Sequence, residues 1–299
     1  MRNIIKVVYK VRKNAYSYNV GVLKKYGNGT YKVSCLKACR NKGVNLTFER
    51  VAKNAAHEDK LDCNIRRAKS KVKEYVLCNS WDYFMTLTLD PKKYDRYNLK
   101  KFHKELSVWL QNLNRKREQK IKFILIPEQH KDGAWHMHGF ISGLTSDDVR
   151  LFKVTDKIPK YIKNKLIEGQ EVYNWLPYME KFGFCDLEPI RSVEKASSYV
   201  LKYITKDLAR CVKEVGAHLY YCSRGLNKAE IIKKGEVSAE YSPTYVDEHV
   251  SVQWLNGVSE QVARSYIQGD NSTKDDIFQE FELRKSGFRD FDMSELPFD

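Results

Sequence analysis

The sequence predicts an α+β fold, in which hairpin strands pack with amphipathic helices. Three observations carry this. Residues 1–50 run in short apolar–polar alternations around a Gly-Asn-Gly turn signal at 27–29. Residues 58–78 and 98–117 repeat apolar side chains at close to 3.6 positions. The runs KFILIPEQ and AWHMHGFI flank His-Lys-Asp-Gly, the pattern of two strands and a tight turn.

Taken in order, IIKVVYKV and GTYKVSCL read as strands of a hairpin-rich N-terminal element, residues 1–55. Residues 58–78 form a basic amphipathic helix. YFMTLTL, at 83–89, is rich in Thr, aromatic and aliphatic residues and stops at Asp90-Pro91, as a strand does. The helix over 98–117 gathers Phe102, Leu106, Trp109, Leu110 and Leu113 on one side. After the KFILIPEQ–AWHMHGFI pair, residues 145–180 read as a mostly helical connection. FGFCDLEPI at 182–190 is a further strand, 194–215 a helix and HVSVQWL at 249–255 a last strand. The polar, acidic stretch 269–299 is expected to be partly disordered. These boundaries divide the chain into a basic β-rich element (1–55), a main domain (56–245) and an acidic C-terminal segment (246–299).

Charge narrows the function. With 53 Lys and Arg against 38 Asp and Glu, the chain carries +15. Residues 246–299 hold twelve acids and five bases, so the rest is more basic still. Such asymmetry suits a polyanion-binding body, and an aromatic content of 12% suits stacking on single-stranded bases. No apolar run approaches the ~18 residues of a membrane span. The bases scattered through the first residues do not make a secretory signal, so a cytoplasmic location is expected. Seven cysteines is an odd count. Cys35, Cys39, His57 and Cys63 form a loose zinc pattern without a second short pair, and free buried thiols are the expectation.

His136 and His138 lie two apart on a strand and so point the same way. A three-residue loop at Lys131-Asp132-Gly133, with Gly133 left-handed, sets Glu128 opposite His136 and Ile126 opposite His138. Two nitrogens and one carboxylate then share a face, a set suited to Mg²⁺ or Mn²⁺. His130, at the turn, and His103 are weaker candidates. Thr86 and Thr88 share a strand face, where their hydroxyls can support such ligands from behind.

Tyr199-Val-Leu-Lys202-Tyr203-Ile-Thr-Lys206 repeats Tyr-x-x-Lys twice. On a helix, Tyr199 and Tyr203 fall one turn apart on one face, with Lys202 and Lys206 beside them. Phenols are poor nucleophiles near neutral pH, and a nearby cation helps to form the phenolate or to hold a phosphate. A metal hairpin upstream gives the two phenols a target.

FMTLT, WHMHG and YVLKYITK, in that order, resemble the three motifs of rolling-circle replication initiators of small phages and plasmids. These belong to the HUH endonuclease superfamily, here in its two-tyrosine form. The resemblance covers roughly residues 60–225. It implies a central five-stranded antiparallel sheet flanked by helices, with the hairpin facing a tyrosine helix. It further implies that His136, His138 and Glu128 bind Mg²⁺ or Mn²⁺, and that one tyrosine attacks a single-stranded origin stem-loop. The products are a 5′-phosphotyrosyl bond and a free 3′-hydroxyl for a host polymerase. The second tyrosine would cut the regenerated origin. The chain has no G-x-x-x-x-G-K-[ST] motif, so strand separation falls to a host helicase in a bacterial cytoplasm. Single-strand transposases share the histidine-then-tyrosine order. A non-catalytic nucleic-acid-binding regulator is the alternative of another class.

Overall fold

The computed structural model describes residues 16–40, 58–214, 216–247 and 249–269, and in it the chain builds two antiparallel sheets. The first hairpin is β1 (Tyr16–Lys25) and β2 (Tyr31–Arg40), turned at Gly29, whose φ of +83° glycine adopts without steric cost. The run IIKVVYKV lies outside the described residues, and the partner of β2 is the strand that follows it. Then come α1 (Glu58–Cys78), β3 (Tyr83–Thr88), α2 (Leu99–Arg115) and the hairpin β4 (Lys122–Gln129) with β5 (Trp135–Ser142). The next stretch holds β6 (Val149–Leu151), α3 (Lys160–Ile167), β7 (Tyr173–Trp175) and α4 (Leu176–Lys181). After it run β8 (Cys185–Pro189), α5 (Val193–Val200), a 3₁₀ turn (Leu201–Tyr203) and α6 (Lys206–Glu214). The chain continues through β9 (Tyr221–Cys222), β10 (Glu230–Val237), β11 (Tyr245–Val246), β12 (Val250–Leu255), α7 (Glu260–Ser265) and β13 (Ile267–Gln268).

The α+β class holds, but the main sheet has seven strands rather than five, in the order β6-β7-β8-β3-β5-β4-β9. The excess is at the edges, where the short β6 and β9 add to a central five. Tyr221 and Cys222 join by pairing with Leu125 and Ile124 of β4. The predicted hairpin register is present: Ile126 faces His138, Glu128 faces His136, and Gly133 turns the chain at φ +85°. Gly139 is needed inside β5, because a Cβ there would lie 1.8 Å from the Ile124 carbonyl oxygen.

α2 starts at Asn98, whose side chain accepts from the Lys101 N–H, and buries Leu99, Phe102, Leu106 and Leu110. Each such burial contributes about 1.5–3 kcal/mol. The region read as mostly helical, 145–180, is instead split among two short strands and two short helices. Its aromatic residues explain this: Trp175, Tyr178 and Phe182 are fully buried and pack with Trp109 of α2. The continuous tyrosine helix is also corrected. It breaks at Ile204, whose ψ is 85°, and restarts under Thr205, whose hydroxyl accepts from the Leu208 N–H. Thr205 followed by Asp207 is a helix-start signal inside the repeat.

The second sheet has the order β11-β12-β2-β1-β10-β13. It combines strands from both predicted flanks, so residues near the two ends build one body. The 249–255 strand pairs with β2, Val250 opposite Leu36 and Leu255 opposite Tyr31. Cys35 and Cys39 are free and buried in β2, while His57 of the loose zinc pattern lies outside the described residues.

α1 links the two sheets. Ile65, Ala68, Val72 and Val76 enter the main core, and Leu77 and Cys78 pack on Tyr26 of the second body. Its bases therefore serve the fold. Lys71 pairs with Glu74 at 2.9 Å, Arg66 with Asp247 at 3.7 Å, and Lys73 lies 4.4 Å from the Trp254 ring centroid. Glu74, 4% exposed, also takes Lys24 at 3.5 Å. Burial by itself raises the Glu74 carboxyl, but Lys24, Lys71 and Lys32 bring it below its ordinary value. Among the described residues, no helix is long and apolar enough to cross a membrane.

Candidate active site

Strand parity assembles the site. Pairing places Asp186, Thr86, His138 and Ile126 in one row across β8, β3, β5 and β4, and Thr88, His136 and Glu128 in the next. Residues two apart on each strand share that face. One face of the main sheet thus carries two imidazoles, two hydroxyls and two carboxylates.

The threonines stand behind the histidines. Thr88 Oγ1 lies 2.9 Å from His136 Nδ1, and Thr86 Oγ1 lies 3.3 Å from His138 Nδ1. These contacts orient both rings and turn their Nε2 atoms toward the open side. Burial, with His130 and His138 nearby, lowers His136 to about 4, so it is a neutral imidazole near pH 7. His130 stacks on His136 with centroids 3.8 Å apart, and its Nε2 lies 3.8 Å from Glu128 Oε2. The turn histidine therefore belongs to the cluster. His103 does not: it stacks on Tyr221 at 3.7 Å and contacts Ser107 on α2.

Glu128 Oε2 accepts a hydrogen bond from His138 Nε2 at 2.7 Å, and this bond, ahead of the opposing effect of burial, holds the carboxyl below its usual range. Among the described residues, no three His, Cys, Asp or Glu side chains converge at ligand spacing, since Glu128 is bonded directly to His138. The donor set nonetheless fits a divalent cation. Its imidazoles are aligned from behind by Thr86 and Thr88, and its carboxylate lies at their open nitrogens. For His138 to act as a ligand, its hydrogen must leave Nε2, and Thr86 is placed to accept one at Nδ1.

The tyrosines meet this face. Tyr203, on the 3₁₀ turn, lies flat on His138, and its hydroxyl donates to the Tyr199 hydroxyl at 3.1 Å. Burial, then the Tyr199 bond, raises the Tyr203 phenol above the ordinary tyrosine value. Tyr199, 44% exposed, meets Phe84 edge to face with centroids 5.5 Å apart. Lys202 places Nζ 4.7 Å from the Tyr199 ring centroid. Lys206 turns away after the break and pairs with Asp62 of α1 at 3.0 Å. The expected pairing of one lysine with each tyrosine therefore gives way to one lysine over Tyr199.

Three contributors escaped the sequence reading: Asp186, Tyr161 and Phe84. Asp186 is 2% exposed and accepts from the Tyr161 hydroxyl at 2.8 Å; burial raises its carboxyl to about 6. The signal available was parity. Asp186 and Glu188 alternate within the strand CDLEP, and Phe84 alternates with Thr86 and Thr88.

Residues 82–208 match the model of the replication-associated protein ORF2 family. The matched stretch runs from β3 into α6 and contains every site residue named above. It points to replication initiation and DNA binding, in agreement with the resemblance to rolling-circle initiators. No curated protein and no solved structure matches the chain.

Proposed function

We propose that the protein nicks and rejoins single-stranded origin DNA by tyrosine transesterification, initiating rolling-circle replication. The observation that carries this reading is the stacking of Tyr203 on His138 with its hydroxyl on that of Tyr199. Two phenols are thereby held at a histidine–carboxylate cluster on a basic protein.

His136, His138 and Glu128 would hold Mg²⁺ or Mn²⁺, which when bound supplies charge to polarise the scissile phosphate. A tyrosine oxygen forms the new bond to phosphorus, and the 3′-oxygen leaves with the bonding pair. The phenol must lose its proton. Tyr199, with Lys202 over its ring, has a cation beside the developing phenolate. Tyr203 passes its hydrogen into the Tyr199 bond, so the pair shares a proton that either oxygen can release. Thr86 and Thr88 hold the imidazoles in place. The protein–DNA ester conserves the phosphodiester bond energy, so rejoining needs only attack by a 3′-hydroxyl. A host polymerase and helicase would complete the cycle.

The test is incubation with labelled single-stranded DNA and Mn²⁺, followed by a denaturing gel. A covalent adduct is expected from wild type. It should be absent with Tyr199→Phe combined with Tyr203→Phe, and with His136→Ala. Adduct formation by the double variant would overturn the reading.

A further inference from the structure

The tyrosine chemistry leaves one neighbouring feature unused. Between α3 and α5, opening beside Tyr199, lies a cavity of about 680 Å³. That is within the ~300–1,000 Å³ range of small-molecule sites. Phe84 and Glu188, cross-strand neighbours on β3 and β8, contribute to its lining, as do Lys165, Arg191, Lys195 and Tyr199. Phe84 is half-buried, and its ring meets Tyr199 edge to face.

Glu188 is held rather than free. Lys165 Nζ lies 2.6 Å from its Oε2, one helical turn beyond Tyr161, which bonds Asp186. Residues four apart on α3 thus match residues two apart on β8, because one helical turn of ~5.4 Å is close to two strand steps of ~6.6 Å. The arrangement pins α3 to the sheet and fixes a carboxylate in the cavity. Arg191 and Lys195 are exposed on its α5 side. Glu171, the other acid lining the cavity, accepts from Tyr173 at 3.2 Å.

We infer that this cavity takes one nucleobase of single-stranded DNA, the base beside the phosphate that Tyr199 attacks; the placement rests on the nickase reading. Every base has a face to lay on Phe84, and such stacking is worth ~1–3 kcal/mol. The Glu188 carboxylate accepts hydrogen bonds but cannot donate them. It therefore favours bases with an exocyclic amino group, adenine and cytosine, over thymine. Arg191 and Lys195 face the flanking phosphates, whose contribution depends on salt and not on sequence.

The experiment uses the full chain in EDTA, where no nicking occurs, with fluorescein-labelled dA, dC and dT 20-mers read by anisotropy. Wild type should bind dA and dC at least about fivefold tighter than dT, the low end of a bidentate base contact. Glu188→Gln should reduce that ratio to within about twofold, because an amide presents both donor and acceptor. Phe84→Leu should weaken all three by about five- to 100-fold. Lys195→Ala should lower the salt slope by about one without changing the ratio. Circular dichroism melts establish that each variant is folded, and Glu188→Asp serves if the Gln variant is not. An unchanged base preference in folded Glu188 variants overturns the inference, as does wild-type affinity in Phe84→Leu. In parallel, adducts formed with Mn²⁺ on a randomised single-stranded pool are sequenced. Adducts whose flanking base preference is indifferent to Glu188→Gln sink the cavity and leave the nickase standing. Altered homopolymer binding with no adduct on any DNA sinks the nickase and leaves a base-binding cavity.

Discussion

The Tyr203 ring lies flat on the His138 imidazole, with 4.2 Å between centroids and 8° between planes. The contact joins the two motifs that carry the proposed chemistry, and it reaches further through side chains. His138 Nε2 bonds Glu128, and the Tyr203 hydroxyl bonds Tyr199. A change at one end of this chain of contacts is expected to register at the other.

The phenols should titrate unequally. In EDTA, phenolate absorbance near 295 nm from Tyr203 is expected only above the ordinary tyrosine range, read as wild type minus Tyr203→Phe. Tyr199→Phe removes a bond that raises Tyr203 and should bring its titration down. Equal titration of Tyr203 in wild type and the Tyr199 variant would contradict this assignment.

Thr88→Val keeps the side-chain shape and removes the oxygen 2.9 Å from His136 Nδ1. Loss of such a supporting bond typically costs ~10–100-fold in metal affinity. Titration calorimetry with Mn²⁺ should show that loss. Thr86→Val, acting over 3.3 Å, should show less.

Asp186 makes stability depend on pH in a stated direction. Its folded value of about 6 lies above the 3.8 of an ordinary aspartate, so its contribution is fully present below 3.8 and lost as pH rises through 6. Asp186→Asn can still accept from Tyr161. It should therefore stabilise the protein at pH 8 by up to about 3 kcal/mol, read as a higher melting temperature, and change it little at pH 4.

Glu74 has the opposite sign. Its lowered carboxyl stabilises the protein above the ordinary glutamate value and loses that effect as pH falls through the folded one. Glu74→Ala leaves Lys24, 9% exposed, without that carboxylate and should cost about 3–5 kcal/mol in urea unfolding near pH 7.

Gly139→Ala should destabilise by about 3 kcal/mol or more, because its methyl would overlap the Ile124 carbonyl within a central strand pair. Urea unfolding measures this, and a neutral result would mean that β4 and β5 separate more easily than their pairing indicates.

Much of the site was legible because strand parity is local. His136 and His138 two apart, Gly133 at a hairpin turn and Thr86 and Thr88 on one strand each state which face they share. The break between Tyr203 and Lys206 was also written in the chain, as Thr205 and Asp207, but the stronger Tyr-x-x-Lys periodicity masks it. Lys206 thus reads as a neighbour of Tyr203 until the backbone turns it toward Asp62.

By itself the sequence determined the α+β class, the register of β4 on β5 and the residue types that converge there, because hairpin geometry follows from neighbouring residues. Only the tertiary structure decided which distant strands lie beside that hairpin. β8 brings Asp186 and Glu188 to the site from about 50 residues away, and β1, β2, β10 and β12 unite the two flanks in a second sheet. Such pairings depend on buried area and backbone hydrogen bonds between segments far apart in sequence, and no local periodicity records them.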